Sequence, residues 1–478
     1  MPAKIASEPA VRRQVLSEAT APGRDVVRFG LAIGVAAAFS SVQLFIIPRR
    51  VDMATYGHYR LFLVYTAYLG LLHFGLADGS FLRWAGLRAD AIRREWRIVG
   101  RWLLTIQAIV LSIALLVALL IAEPLTRLYV IALATTALCT NMATLSAFAL
   151  QAAGDFRSAG RVALIVPCLF VLLVLLVPTA SLLALLGMYV ASCAVSALYG
   201  AIRVARIAPP SPAETHLDAP ALATLLERGV PVLMANVAAG VSQSVDRILV
   251  SAGTPITSFA LYGFASTVSV AATTATHALS RVALSHAARR SSDERAPFLF
   301  GFLDVIASAY GVLLLAEPLF EHLVKTFLPA YTSALPMVRA LTLGVPFWAA
   351  AHVVLVGTLQ SYGFVRRQLA VELCGVALVI ALCAAALSRP IPLWSVAVAA
   401  TIAAAMTFAI GAIVVRRSVS AARGQSGLRF AGVVAVQGVA LLVALNSTDS
   451  WIVQSAAYVA MTLVPTVFVL SRARRQPW

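Results

Sequence analysis

The chain has 478 residues, 60% of them hydrophobic and only 12% charged, with a formal net charge of +17. A mean hydropathy of +0.89 excludes an ordinary soluble enzyme and indicates a polytopic membrane protein. The basic excess would suit nucleic acid only as a clustered face on a soluble domain, and no such domain interrupts the apolar runs.

Residues 1–25 carry Lys4, Glu8, Arg12, Arg13, Glu18 and Arg24 with no apolar core before Val26, which predicts a cytoplasmic tail and not a signal peptide. A hydrocarbon core of about 30 Å takes about 20 residues of helix. Cutting the sequence where charge, Pro and Gly cluster gives fourteen spans: 26–47, 59–82, 102–122, 128–150, 162–179, 182–202, 229–252, 257–280, 298–317, 336–359, 369–388, 393–415, 430–446 and 451–470. The count falls to twelve or thirteen if the pair 162–179 and 182–202 is re-entrant. Between the second and third spans, Arg93, Arg94, Glu95, Trp96 and Arg97 suggest an interfacial helix. Cys139, Cys168, Cys193, Cys374 and Cys383 lie in apolar runs without metal-type spacing, so no metal or cofactor is expected.

Of the 37 Lys and Arg residues, 29 fall in the tails and alternate loops that share one side with the N-terminus. Five lie on the other side (Arg49, Arg50, Arg127, Lys325 and Arg389), and Arg60, Arg247 and Arg339 lie inside spans. This asymmetry puts both termini of a multi-pass membrane protein in the cytoplasm.

Weak internal similarity is consistently phased. Tyr56-Gly57 and Tyr262-Gly263 follow spans 1 and 7 at an offset of 206 residues, and the runs Leu150-Gln151-Ala-Ala-Gly154 and Leu359-Gln360-Ser-Tyr-Gly363 close spans 4 and 10 at an offset of 209. The expected architecture is all-α, with two parallel six-helix bundles (26–202 and 229–415), a Pro-containing cytoplasmic linker (203–228) and a final helix pair with its tail (416–478). Parallel repeats of this kind place a cavity between halves that rock to expose it alternately.

The run Ile47-Pro-Arg-Arg-Val-Asp-Met-Ala-Thr-Tyr-Gly-His-Tyr59, the span ending Phe74-Gly-Leu-Ala-Asp78-Gly79, and Val245-Asp-Arg-Ile-Leu249 followed by Phe259-Ala-Leu-Tyr-Gly263 resemble the polysaccharide flippases of the multidrug/oligosaccharidyl-lipid/polysaccharide exporter superfamily. Leu328-Pro-Ala-Tyr331 and the 359–363 run extend the resemblance over nearly the whole chain. It implies movement of an undecaprenyl-diphosphate-linked oligosaccharide from the cytoplasmic to the periplasmic leaflet for O-antigen or exopolysaccharide synthesis. The implied partners are this lipid-linked substrate, membrane lipids and polysaccharide polymerase machinery, with no nucleic acid.

Such a path needs cations for the diphosphate and hydroxyl, amide or aromatic groups for the sugars. Asn236, Gly240, Gln243 and Arg247 share one helical stripe; Arg28 and Gln43 belong to the corresponding stripe of the first span. Tyr262, Ser266, Ser269, Thr273 and His277 form a polar stripe on 257–280. Ser and Thr at that spacing also serve helix packing. Arg247 is the strongest candidate because an intramembrane Arg is functional by default, with Asp246 as a possible ion-pair lock. Arg60 and Arg339 are weaker, both within reach of headgroups. Asp78 and Arg83 flank the cytoplasmic end of 59–82 as candidate gate residues. Asp304 and Glu372 read as water-exposed helix starts, with a proton or cation site as the alternative for either.

The alternatives are a lipid II flippase, a cation-coupled multidrug exporter of the same superfamily and, from another class, a membrane glycosyltransferase or ligase. An enzyme would need a catalytic base or a carboxylate cluster on an extramembrane loop, and the longest outer loop (320–335) offers only Glu321, His322 and Lys325.

Overall fold

The structure, a computed structural model, describes residues 35–36, 39, 42–84, 87–177, 181–207, 221–287, 290–422, 427–448 and 450–473, the side chains at 239, 272–286, 365, 421 and 463–473 excepted. Among the described residues every regular element is helical. Among the described residues nine helices are long and apolar enough to cross a membrane, and two bent pairs raise the number to as many as eleven. The expected spans 26–47, 257–280 and 451–470 run into residues or side chains outside the described set.

After a helical stretch over 42–50, α1 (Met53–Thr66) begins at Asp52, whose carboxylate accepts from Thr55 N at 2.9 Å and Thr55 Oγ1 at 2.7 Å. These two bonds hold the Asp52 carboxyl below the usual carboxylate range. The predicted continuous span 59–82 is instead broken. A 3₁₀ segment (Leu69–His73) leads to Phe74 and Gly75, at φ 52° and 80°, and α2 (Leu76–Trp84) leaves at 62° to the preceding run. The break frees carbonyls that lipid cannot satisfy, and side chains of the next two helices answer them. Gln107 Nε2 donates to Leu72 O at 2.8 Å from α3 (Ala89–Leu120), and Asn141 Nδ2 donates to Leu69 O at 3.1 Å from α4 (Pro124–Ala152).

The expected interfacial helix at 93–97 is a continuous part of α3, which at 32 residues is about 48 Å long and overshoots the hydrocarbon. Buried Glu95 explains its course. It accepts from Arg83 Nε at 2.9 Å, Arg83 Nη2 at 2.8 Å and Trp84 Nε1 at 3.1 Å, tying α3 upright against α2. Helices α5 (Phe156–Leu176) and α6 (Leu182–Ala205) are full-length, which rules out the re-entrant pair.

In the C-terminal part, α7 (Leu222–Gly253), α8 (Ile256–Ala287), α9 (Ser292–Leu315), α11 (Leu335–Ala350), α12 (Val365–Leu387) and α13 (Trp394–Ser418) form the second group, with the short α10 (Glu317–Phe327) leading into α11. Helix α7 bends by 46° between Ala238 and Gly240. Helix α11 passes through a π-turn, Ala351–Val356, before its last turn Gly357–Ser361. The last pair, α14 (Leu428–Leu445) and α15 (Trp451–Ala473), packs on α9, where Gln437 Nε2 and Tyr458 Oη donate to the Ala307 and Gly311 carbonyls at 3.3 and 3.1 Å.

The repeat seen in the sequence has a local structural counterpart. Gly154 and Gly363 sit at φ 82° and 76°, closing α4 and the α11 continuation. In both, the residue after the glycine donates to the carbonyl of the run's Leu (Asp155 to Leu150 at 2.9 Å, Phe364 to Leu359 at 2.8 Å) and the glycine donates to that of its Gln at 3.0 Å. This is one Schellman cap made twice. The Tyr-Gly pairs face each other: a Cβ on Gly57 would lie 2.5 Å from Ile256 O, and one on Gly263 would lie 3.1 Å from Arg60 Cβ.

Candidate functional site

Two sets of contacts close the seam between the helix groups. At the end carrying most of the basic loops, α2 lies directly on α7: a Cβ on Gly79 would fall 2.0 Å from Leu225 O, and one on Gly229 would fall 1.9 Å from Gly75 O. Asn236 Nδ2 reaches Asp78 Oδ1 at 3.5 Å beside this contact, with His73 Nε2 3.8 Å from Asp78 Oδ2. At the opposite end the seal is aromatic. Tyr56 meets Tyr331 edge-on at 5.5 Å, Phe45 meets Phe320 at 5.8 Å, and the Arg49 guanidinium lies 5.7 Å from the Phe327 ring. Between them, Tyr68 on the connection after α1 hydrogen-bonds Ser244 of α7.

One cavity lies inside the C-terminal helix group. Its lining comes from α7, α8, α11, α12 and α13, entirely within the C-terminal group, and it holds about 940 Å³ of atom-free space counting its open mouth. Its polar lining is Ser242, Gln243, Asp246 and Arg247 of α7, Ser266 and Ser269 of α8, Trp348 and His352 of α11 and its π-turn, Glu372 of α12, and Thr401 and Thr407 of α13.

Arg247 Nε stands 3.7 Å from Asp246 Oδ1, while its Nη2 donates back to Gln243 O. Tyr262, fully buried, donates to Asp246 Oδ2 at 2.7 Å. The buried carboxylate is therefore both paired and hydrogen-bonded, the condition under which a charge is tolerated in a low-dielectric interior. Ser266 donates to its own helix at Gly263 O, 3.0 Å away, leaving its remaining acceptor capacity toward the cavity. Across the space, His352 Nε2 lies 3.5 Å from Glu372 Oε1, and the His352 ring stacks on Trp348 at 4.2 Å. Among the described lining residues two carboxylates, Asp246 and Glu372, accompany the one guanidinium of Arg247. Among the described residues no three His, Cys, Asp or Glu side chains group as a metal site.

Of the sequence candidates, Gln243, Arg247, Asp246, Ser266 and Ser269 line the cavity, with Tyr262 behind Asp246. Asn236 does not; the bend in α7 takes it off the stripe and onto Asp78. Gln43 is half-buried outside the lining, and Arg60 lies in the seam against Gly263. Arg339 is taken by Glu321 of α10 in a two-point ion pair with both carboxylate oxygens. Arg83 pairs with Glu95, while Asp78 faces Asn236 and His73. Arg28 and the side chains of Thr273 and His277 lie outside the described residues. Asp304 pairs with Arg429 at 3.0 Å. Glu372 is buried in the cavity and not at a wet helix start, because α11 and α13 cover it. His352 and Trp348 gave only an aromatic-His spacing of four on an apolar run; the π-turn that presents them has no comparable sequence mark.

No family model and no curated protein matches the sequence. Solved structures do. The lipid II flippase MurJ in an inward closed conformation superposes with a TM-score of 0.67 at 13% identity, over 94% of this chain and 100% of that one. A multidrug resistance MATE family transporter of the MOP superfamily in an outward-facing conformation gives 0.55 at 14%, over 85% of this chain and 97% of that one. A MATE protein in complex with MaL6 gives 0.61 at 14%, over 84% and 97%. At such identities the likeness establishes the fold: this chain has the all-helical membrane architecture shared by the MurJ flippase and MATE transporters.

Proposed function

We propose that the protein moves a polyprenyl-diphosphate-linked oligosaccharide from the cytoplasmic to the periplasmic leaflet by alternating access, for polysaccharide or lipopolysaccharide assembly. The observation that carries this reading is the pair of unlike seals across one seam. Backbone-to-backbone glycine contacts at the basic end and edge-on aromatic contacts at the other can each part without unfolding a helix. Parting one while keeping the other gives two accessible states of one path. The sugar-phosphate substrate class rests on the motif resemblance and on the extent of the fold match. The MurJ neighbour accounts for 94% of this chain, whereas the two MATE neighbours account for 84–85%. In this reading Arg247 of α7 meets the diphosphate, and the polyprenyl tail stays in lipid.

A cation-coupled multidrug exporter is the second reading, favoured by one observation, the carboxylates of Asp246 and Glu372 in the cavity. A lipid II flippase differs only in the sugar headgroup. Purified protein in liposomes separates these. Leaflet transfer of a fluorescent undecaprenyl-diphosphate oligosaccharide, chemically unchanged and without ethidium efflux, supports the proposal. Ethidium efflux without lipid transfer replaces it with the exporter, transfer of labelled lipid II alone replaces it with the lipid II flippase, and an altered product points to an enzyme.

A further inference from the structure

A second groove lies back to back with the cavity, on the outer face of α12 and α13, and holds about 750 Å³ of atom-free space. Val371 lines both, so one side chain divides them. Helix α12 leaves the basic end and α13 returns to it, which sets Arg367, near the start of α12, level with Arg417, near the end of α13. Arg367, Ala370 and Cys374 fall at i, i+3 and i+7 on one helix; Ile410, Val414 and Arg417 fall at i, i+4 and i+7 on the other. All six line the groove. Two guanidinium groups therefore stand at its head, and an apolar trough descends about 10 Å below them.

The remaining polar lining is Ser418, whose hydroxyl donates to Val414 O at 2.6 Å. Among the described residues no carboxylate lines the groove. The Arg367 guanidinium rests over the Phe364 ring at 4.8 Å, which keeps it at the mouth. Positive residues at this end are expected from topology alone. Topology does not explain why two of them, from different helices, converge on one apolar groove.

We propose that this groove binds an anionic phospholipid, its phosphodiester between Arg367 and Arg417 and one acyl chain along Ala370, Cys374 and Ile410. The apolar trough would be of no use to a free phosphate, and a zwitterionic headgroup would bring its own cation to the arginines. A chain seated there supports Val371 from behind and so braces the wall that carries Glu372.

The test uses full-length protein with Cys139, Cys168, Cys193 and Cys383 replaced by Ala, leaving Cys374 as the site-specific probe. Native mass spectrometry against dioleoyl phosphatidylglycerol and dioleoyl phosphatidylcholine should show at least a fivefold preference for the former. Bound phosphatidylglycerol should slow maleimide modification of Cys374 severalfold. The double variant Arg367→Gln/Arg417→Gln should lose both effects with an unchanged thermal transition, and Arg157→Gln, an exposed arginine at the same end, should keep both. Equal binding of the two lipids, a preference that survives the double variant, or equal protection of Cys374 by soluble glycerol 3-phosphate would each overturn the proposal.

Discussion

Replacing Gly79 by Ala tests the basic-end seal with one methyl group. The added Cβ would sit 2.0 Å from Leu225 O and 2.8 Å from Leu225 C, where ordinary contact begins at 3.4 Å. Both neighbours are backbone atoms, so no rotamer relieves the clash and α7 must retreat by more than about 1 Å. Overpacking of this kind costs up to about 3 kcal/mol. Alanine returns about 1 kcal/mol as the better helix former, because it loses less backbone entropy than glycine. That gain is common to the open and closed states, so the clash of up to about 3 kcal/mol acts alone on the closed state and shifts its ratio to the open one by up to about 150-fold. Spin labels at Leu82→Cys on α2 and Leu222→Cys on α7, both exposed positions, report the separation by double electron–electron resonance in nanodiscs. The Gly79→Ala distribution should move to longer distance. Gly100→Ala is the control, since its Cβ would meet nothing within 4 Å; it should leave the distance alone and stabilise the fold slightly. An unchanged distribution in Gly79→Ala would refute the seal as described.

Tyr262→Phe removes the 2.7 Å bond to buried Asp246 and should cost about 1–3 kcal/mol, read as a lower thermal midpoint in detergent. Glu95→Ala strands Arg83 and Trp84 and should cost about 1.5–3 kcal/mol by the same measurement. Asp52→Ala removes the α1 cap and should cost about 1 kcal/mol at neutral pH. Because the folded Asp52 carboxyl is held below its ordinary value, its contribution is present above about pH 4 and disappears as pH falls through the depressed value, so the variant and wild-type midpoints should converge in acid. Arg247→Ala should sharply slow flipping in liposomes. Arg247→Lys should keep part of the rate if charge alone matters, and less if the guanidinium makes a two-point contact with phosphate.

Much of the fold was legible because lipid imposes a length and a composition on each crossing helix. The repeat was legible too, through glycines that have to adopt positive φ at Gly154 and Gly363. What escaped were features decided by distant partners. The break at Phe74-Gly75 stands because Gln107 and Asn141 answer the freed carbonyls from other helices. The charges of α3 belong to a crossing helix because Glu95 meets Arg83 and Trp84. Glu372, seven residues into α12, reads as wet until His352 arrives opposite it from a π-turn. Gln243, Arg247, Ser266 and Ser269, which share helical stripes in the sequence, line the C-terminal cavity, whereas the 46° bend in α7 separates Asn236 from them.

Locking the basic-end seal tests alternate opening most directly. Asp78→Cys and Asn236→Cys, at side chains 3.5 Å apart, can be bridged by a short thiol-specific cross-linker with a cleavable disulfide, in a background lacking the native cysteines. Flipping of a fluorescent undecaprenyl-diphosphate oligosaccharide should stop in the bridged protein and return when reductant cleaves the bridge. Bridged protein that flips the lipid at the uncross-linked rate would contradict a path that opens along this seam.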